Sequence, residues 1–194
     1  KLPVQPVYLS YNLDSKNTTD FWVRKNRNQE KEAMNKIRDI LNKRFPFTTH
    51  LLYKTIIISN NIDYPDYDQA FLKLNLWPKK RKTHQYGHLG KASFLMKSYI
   101  DTGVLGIHNQ THFINFLTKN LYEEGNTYKI QLPVTHPMHY LQFPLFKKTK
   151  KHLCDISKTN NFNDIIKLSW SCWFPEKGQP CKKCPMCIER FECN

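Results

Sequence analysis

SWSCWFPEKGQPCKKCPMCIER, residues 169–190, is the stretch on which the reading of the whole chain turns. Cys181, Cys184 and Cys187 stand at Cys-x-x-Cys-x-x-Cys spacing, and Cys172 lies nine positions before the first of them. A tetrahedral zinc ion takes four thiolate or imidazole ligands, with sulfur at ~2.3 Å. A Cys-x-x-Cys turn lets two thiolates converge on one ion while backbone N–H groups point at the sulfurs. The third close cysteine and the distant one complete the shell. Four protein ligands leave no open position, so the site is expected to be structural rather than catalytic. The alternative is two disulfides, but two intervening residues suit a structural disulfide poorly, and nothing else in the chain suggests secretion. Gly178, Pro180 and Pro185 predict a knuckle-like loop rather than a helix. Lys177, Lys182 and Lys183 would offset part of the charge of four thiolates around a divalent ion. Cys154 is expected to be a lone buried thiol and Cys193 a frayed tail position.

Composition sets wider bounds. The 194 residues suffice for an ordinary domain with its own core, and 40% hydrophobic with 13% aromatic residues argues against disorder. No apolar run approaches the ~18 residues that span a bilayer, and KLPVQPVYLS at the start is neither a signal nor a transit peptide. A zinc-type cysteine pattern fits a reducing cytoplasm. The net charge of +14 attracts polyanions, so nucleic acid, nucleotides or a negatively charged partner are candidates.

Hydrophobic periodicity orders the chain as follows. Residues 4–10 read as a strand that opens on prolines, and residues 11–26 as a loop. Residues 28–43 form a helix with Met34, Ile37 and Leu41 on one stripe, widened by Ala33 and Ile40. Residues 50–59 contain a buried strand. Strand, helix and strand in this order predict a β-α-β unit with a parallel sheet and a right-handed crossover. Ligands in such sheets bind at the carboxyl ends of strands, where Ser10 and Ser59 fall. Residues 60–83 read as irregular, with a basic run at 79–82. Further helices are expected at 89–100, 112–122, 147–156 and 164–168, and strands at 104–108 and 128–132, with a loop at 133–144. Gly103 is expected to stop the helix from Leu89.

Ser171-Cys172, a spacer, then Cys-x-x-Cys-x-x-Cys-x-x-Arg ending at Arg190 resembles the C-terminal zinc signature of 7-cyano-7-deazaguanine synthases, members of the PP-loop ATP pyrophosphatase superfamily. Relatives of that kind commonly carry Gly after the second cysteine, where this chain has Lys182. The rest of the order is similar too. Residues 4–11 resemble the family's second strand, residues 29–41 the helix after it, and residues 89–108 its helix, strand and glycine-bearing loop. Pro144-Leu145 with Lys150 resembles the family's Pro-Leu…Lys segment. The resemblance implies an adenine nucleotide alpha hydrolase-like α/β fold. That fold is a parallel sheet with helices on both faces over residues 1–168, plus a C-terminal zinc-binding lobe over 169–194. The family's glycine-rich Ser-Gly-Gly-x-Asp-Ser loop, which gives backbone N–H groups to ATP phosphates, has no counterpart in the sequence. Either it and the first β-loop-α unit precede Lys1, or residues 9–15 are a degenerate copy with Tyr11 and Asn12 in glycine places. The family's Arg-Asn pair is matched only by Arg81, followed by Lys82. Thr111 stands where its Gly-x-x-x-x-Asp loop has the acid. Tyr64-Pro65-Asp66 also matches a family tripeptide but comes too early to count.

The resemblance implies an ATP-dependent ligase that converts 7-carboxy-7-deazaguanine and ammonia to the nitrile. Zinc would be structural, ATP with Mg²⁺ a substrate, and a homodimer the assembly. Arg81 and Lys150 are candidate contacts to substrate or phosphate, although each also sits in a basic run that can be a solvated face. Ser10 and Asn12 end a strand where adenosine would sit, or form a plain turn. The metal set is Cys172, Cys181, Cys184 and Cys187. Two rivals remain: a non-catalytic, zinc-stabilised subunit that binds nucleic acid or a partner, and a sister PP-loop enzyme that activates another acceptor.

Overall fold

The computed structural model describes residues 3–10, 26–59, 62–74, 85–106 and 112–191. The chain forms two compact units, one of residues 1–57 with 150–194 and the other of residues 58–149.

In the first unit, β1 (Val7–Ser10) is followed by α1 (Arg27–Arg44), a 3-10 turn over Pro46–Leu51 and β2 (Ile56–Ser59). The expected helix is present, one residue longer at each end. Glu30 in its first turn and Lys43 and Arg44 in its last match the sign of the helix dipole. Ala33 is buried, while Met34, Ile37, Ile40 and Leu41 are half-buried. The Glu30 carboxylate ties the helix start to the strand. It accepts from the Tyr8 hydroxyl at 2.8 Å and from the Asn26 amide at 2.7 Å. β1 and β2 form a two-stranded sheet, introduced by a parallel bridge between Val4 and Leu52. Arg38 on α1 donates to the Tyr53 carbonyl at 2.9 Å and the Thr55 hydroxyl at 2.8 Å, which holds the approach to β2 against the helix. The strand expected over residues 50–59 is thus confined to its second half. Phe45-Pro46 turns the chain into the 3-10 segment first, because proline suits an N1 position.

The same unit continues with α5 (Lys150–Thr159), α6 (Asn163–Leu168) and α7 (Pro185–Phe191). Asn161, at φ +58°, reverses the chain between α5 and α6. The N–H of Phe162 bonds the Ser157 carbonyl at 2.7 Å and that of Asn161 bonds Lys158 at 3.2 Å, a Schellman ending. Arg44 reaches this turn from α1, donating to the Asn161 carbonyl at 2.8 Å and pairing with Asp164. Cys154, buried in α5, is disulfide-bonded, which corrects the expectation of a lone thiol. Cys193 lies outside the described residues.

The second unit holds α2 (Pro65–Lys73), α3 (Gln85–Met96), β3 (Ile100–Asp101), α4 (His112–Asn120), β4 (Leu121–Glu124), β5 (Thr127–Ile130) and β6 (Leu141–Gln142). Its sheet runs β3-β6-β5-β4. β3 pairs parallel with β6, whereas β5 pairs antiparallel with both β6 and β4. The architecture is therefore α/β with a sheet that is partly parallel, rather than the all-parallel sheet expected. The antiparallel part follows from the two-residue connection Gly125-Asn126, with Gly125 at φ +59°, which closes a hairpin between β4 and β5. Leu117, Met138, Leu141 and Phe143 are fully enclosed at the centre of the core.

Three expectations are corrected in this unit. Residues 65–73 are helical rather than irregular, because Pro65 opens a helix at its first position instead of breaking one. α3 stops at Met96, before Gly103. Lys97 adopts φ +48°, and the N–H groups of Lys97 and Ser98 bond the Phe94 and Ser93 carbonyls at 3.3 and 3.2 Å. Ile100 then enters β3, while residues 102–106 carry no strand; residues 107 and 108 lie outside the described set. Tyr67 on α2 donates to the Pro137 carbonyl at 2.8 Å, and a Cβ at Gly90 of α3 would run into that hydroxyl. Lys91, 4% exposed, donates to the Ile62 carbonyl at 3.0 Å and to Asp68 at 2.7 Å.

Candidate metal centre

The four cysteines of the C-terminal stretch converge. Their sulfurs all lie within 4.8 Å of one another, with Cys172, Cys184 and Cys187 buried and Cys181 partly so. A regular tetrahedron of sulfurs at ~2.3 Å from zinc has edges of about 3.8 Å, so this quartet is a slightly open version of a metal shell. None of the four forms a disulfide.

Local backbone chemistry explains the convergence. Between Cys172 and Cys181 the chain doubles back in a miniature hairpin. Glu176 and Gln179 exchange two backbone hydrogen bonds of 2.9 Å each around Lys177 and Gly178, at φ +47° and +78°. Positive φ at both central residues is a type I′ turn, which Gly178 accepts without strain. Cys181 to Cys184 form the second turn, with Lys182 at φ +60°. That is the position where the similar synthases commonly carry glycine, and the left-handed backbone explains the preference. The N–H of Cys181 points at the Cys172 sulfur at 3.3 Å, and the N–H of Cys184 points at the Cys181 sulfur at 3.4 Å. Pro185 then opens α7, so the expected knuckle is a turn that runs directly into a helix carrying Cys187.

Trp170, Trp173, Phe174 and Met186 pack around the sulfurs. Burial pushes the Cys172 thiol up and the Cys187 thiol up to about 12. Burial also opposes ionisation of Cys184, yet backbone N–H groups of Trp173 and Cys187, with neighbouring thiols, bring it down to about 7. Without a cation the cluster therefore resists holding several negative charges. A divalent ion reverses that balance, because it binds thiolates and expels their protons. Four soft sulfurs, backbone N–H donors and an apolar wrap fit zinc, with no ligand position left over for chemistry. Among the expected charge-balancing lysines, Lys183 is paired with Glu176 at 2.5 Å on the surface, while Lys177 and Lys182 are exposed.

Arg190 fixes the far side of the lobe. Its guanidinium donates to the backbone carbonyls of Ser169, Lys167 (2.7 Å) and Ile166 (3.4 Å), at the C-terminal end of α6. The Trp170 indole N–H bonds the Cys172 carbonyl at 2.8 Å, which orients the first ligand. The motif spacing marked Arg190, but nothing in its spacing indicated carbonyl acceptors.

The other candidate residues are placed less completely. Lys150 is the first residue of α5 and is partly buried. Ser10 closes β1 as expected, and Arg81 and Asn12 lie outside the described residues. Among the described residues, no helix is long and apolar enough to cross a membrane.

Neither the curated proteins nor the solved structures contain a match to this chain. Residues 109–193 match a family model, and that span contains all four converging cysteines and Arg190. The family that this model describes is queuosine biosynthesis protein QueC, and the match covers somewhat less than half of the chain.

Proposed function

We propose that the protein is a 7-cyano-7-deazaguanine synthase-like ligase acting in 7-deazaguanine modification of tRNA or DNA. The observation that carries this reading is the family match over residues 109–193, which takes in the whole sulfur centre. QueC is a family of biosynthetic enzymes, and the sequence resemblance supplies the reaction. A carboxylate is a poor electrophile. Attack of a 7-carboxy-7-deazaguanine oxygen on the α-phosphorus of ATP releases pyrophosphate and gives an acyl adenylate. Ammonia displaces AMP to leave an amide. A second ATP then activates the amide oxygen, and its departure as AMP, with loss of the remaining N–H protons, leaves the nitrile.

In this reading Cys172, Cys181, Cys184 and Cys187 hold one zinc ion that shapes the lobe and takes no part in the reaction. Arg81 and Lys150 supply positive charge to phosphate or substrate, and Ser10 and Asn12 contact the nucleotide. Such groups act by positioning and charge stabilisation.

The test is pyrophosphate release by the full natural protein given 7-carboxy-7-deazaguanine, ATP, Mg²⁺ and ammonium. Release that depends on the deazaguanine supports the proposal. A zinc-loaded, folded protein that releases none with this acceptor overturns it. Release with a different acceptor would then indicate a sister ligase, and metal binding with no turnover a non-catalytic binding subunit.

A further inference from the structure

The guanidinium of Arg190 links two short elements, α7 and the carbonyl end of α6. It sits on α7, three residues after Cys187, and its donors close the carbonyl end of α6 at Ile166, Lys167 and Ser169. Carbonyls at a helix end lack intrahelical partners, and a fixed positive charge there also complements the dipole. With six residues, α6 is too short to hold itself together in water. It is also the element that Arg44 of α1 grips, through Asp164 and the Asn161 carbonyl. α7 in turn has only seven residues and starts one position after Cys184. A short helix carrying a ligand near its start is ordered by whatever holds that ligand.

We propose that Arg190 is a positioning residue that couples the sulfur centre to α6, so that metal at the four cysteines determines the order of α6 and of its dock on α1. The inference rests on the metal reading given above. When the metal leaves, α7 loses its anchor, Arg190 leaves the carbonyls, and the end of α6 frays. The residue touches no reacting group. It sets the shape of the part of the first unit that carries α1, the helix connected in sequence to the end of β1.

Hydrogen exchange on the full chain, with zinc content measured in parallel, tests this. In the wild type, chelation should speed exchange at residues 166–169 by about tenfold to a hundredfold, with a smaller rise at the end of α1. Arg190→Ala should retain one zinc and an unchanged tetrathiolate absorption after cobalt substitution. Its exchange at residues 166–169 should already be fast and no longer respond to chelator. Arg190→Lys, which keeps the charge but loses the fork, should restore only part of the protection. Protection at residues 166–169 that is unchanged by Arg190→Ala, or unchanged when zinc is removed from the wild type, overturns the coupling while leaving the metal reading intact. A folded wild type that takes up neither zinc nor cobalt overturns both.

Discussion

The backbone N–H of Cys181 lies 3.3 Å from the Cys172 sulfur, joining the ligand most distant in sequence to the tight turn that carries the others. Such a bond favours the thiolate and offsets part of the burial that pushes the Cys172 thiol up, while a divalent cation supplies the rest. The protein should therefore carry one zinc per chain, and Cys184→Ser should weaken zinc binding by more than about a hundredfold. Elemental analysis and competition with a chromophoric chelator measure this. Metal-bound cysteines carry fewer protons than free ones, so affinity should fall as pH is lowered. A Cys184→Ser protein with wild-type zinc content would sink the assignment.

Lys182 occupies a left-handed backbone conformation at φ +60° in the turn between two of the sulfurs. Lysine there is strained by Cβ contacts that glycine lacks. Lys182→Gly should leave zinc binding intact and raise stability by up to ~1 kcal/mol, after the added freedom of the unfolded chain is set against the relieved strain. Its urea midpoint should move upward. A fall of similar size would show that the turn relaxes around lysine at no cost.

Removing Asp68 and removing Lys91 should have unequal consequences. The Lys91 ammonium is nearly enclosed, while its partner carboxylate is half-exposed. Asp68→Ala strands a buried charge on one carbonyl and should destabilise by about 2–4 kcal/mol, somewhat less than for a pair buried on both sides. Lys91→Met removes the charge with its need for a partner and should cost less than about 1 kcal/mol. Equal losses in denaturant unfolding would contradict this ranking.

His136 should make the protein sensitive to mild acid. Its Nδ1 accepts the Met138 N–H at 3.2 Å, and the ring stacks on Phe116 with centroids 6.0 Å apart. Burial, with His139 nearby, holds its pKa below that of an ordinary imidazole. Burial and Lys91 do the same to His88, with Asp68 acting in the opposite sense. The folded protein therefore binds fewer protons than the unfolded chain. The associated stability is complete above an unfolded pKa of ~6.5 and is lost as pH falls through the lower folded value. Between pH 7.5 and 5.5, His136→Asn should show a shallower decline in unfolding free energy than the wild type.

The convergence of Cys172, Cys181, Cys184 and Cys187 was legible because their spacing is that of a tetrathiolate site, whatever surrounds it. α1 was legible because its apolar stripe repeats over several turns. What escaped reading was chiefly written in proline. Pro65 and Pro185 punctuate in most contexts, yet both open helices here, where the missing N–H is no loss. β3 and β6 have two residues each, too few to show alternation, and their pairing depends on partners about forty positions apart. Lys97 and Asn161 end their helices from the left-handed region without a glycine to announce it. Arg190 works on backbone carbonyls and Lys91 in part does so, and carbonyls are groups that every residue possesses and no sequence pattern marks.

The first unit is assembled from two separated stretches, with residues 58–149 inserted in sequence between them. On the ribosome the inserted unit emerges whole and can collapse at once, whereas α1, which already has β1 and β2, waits for the α5–α6 turn that Arg44 grips. Cys187 emerges later still, so metallation follows the synthesis of the inserted unit. A cell short of zinc would then accumulate chains in which residues 58–149 are native while the segments flanking them are not, open to proteolysis on either side of the insert.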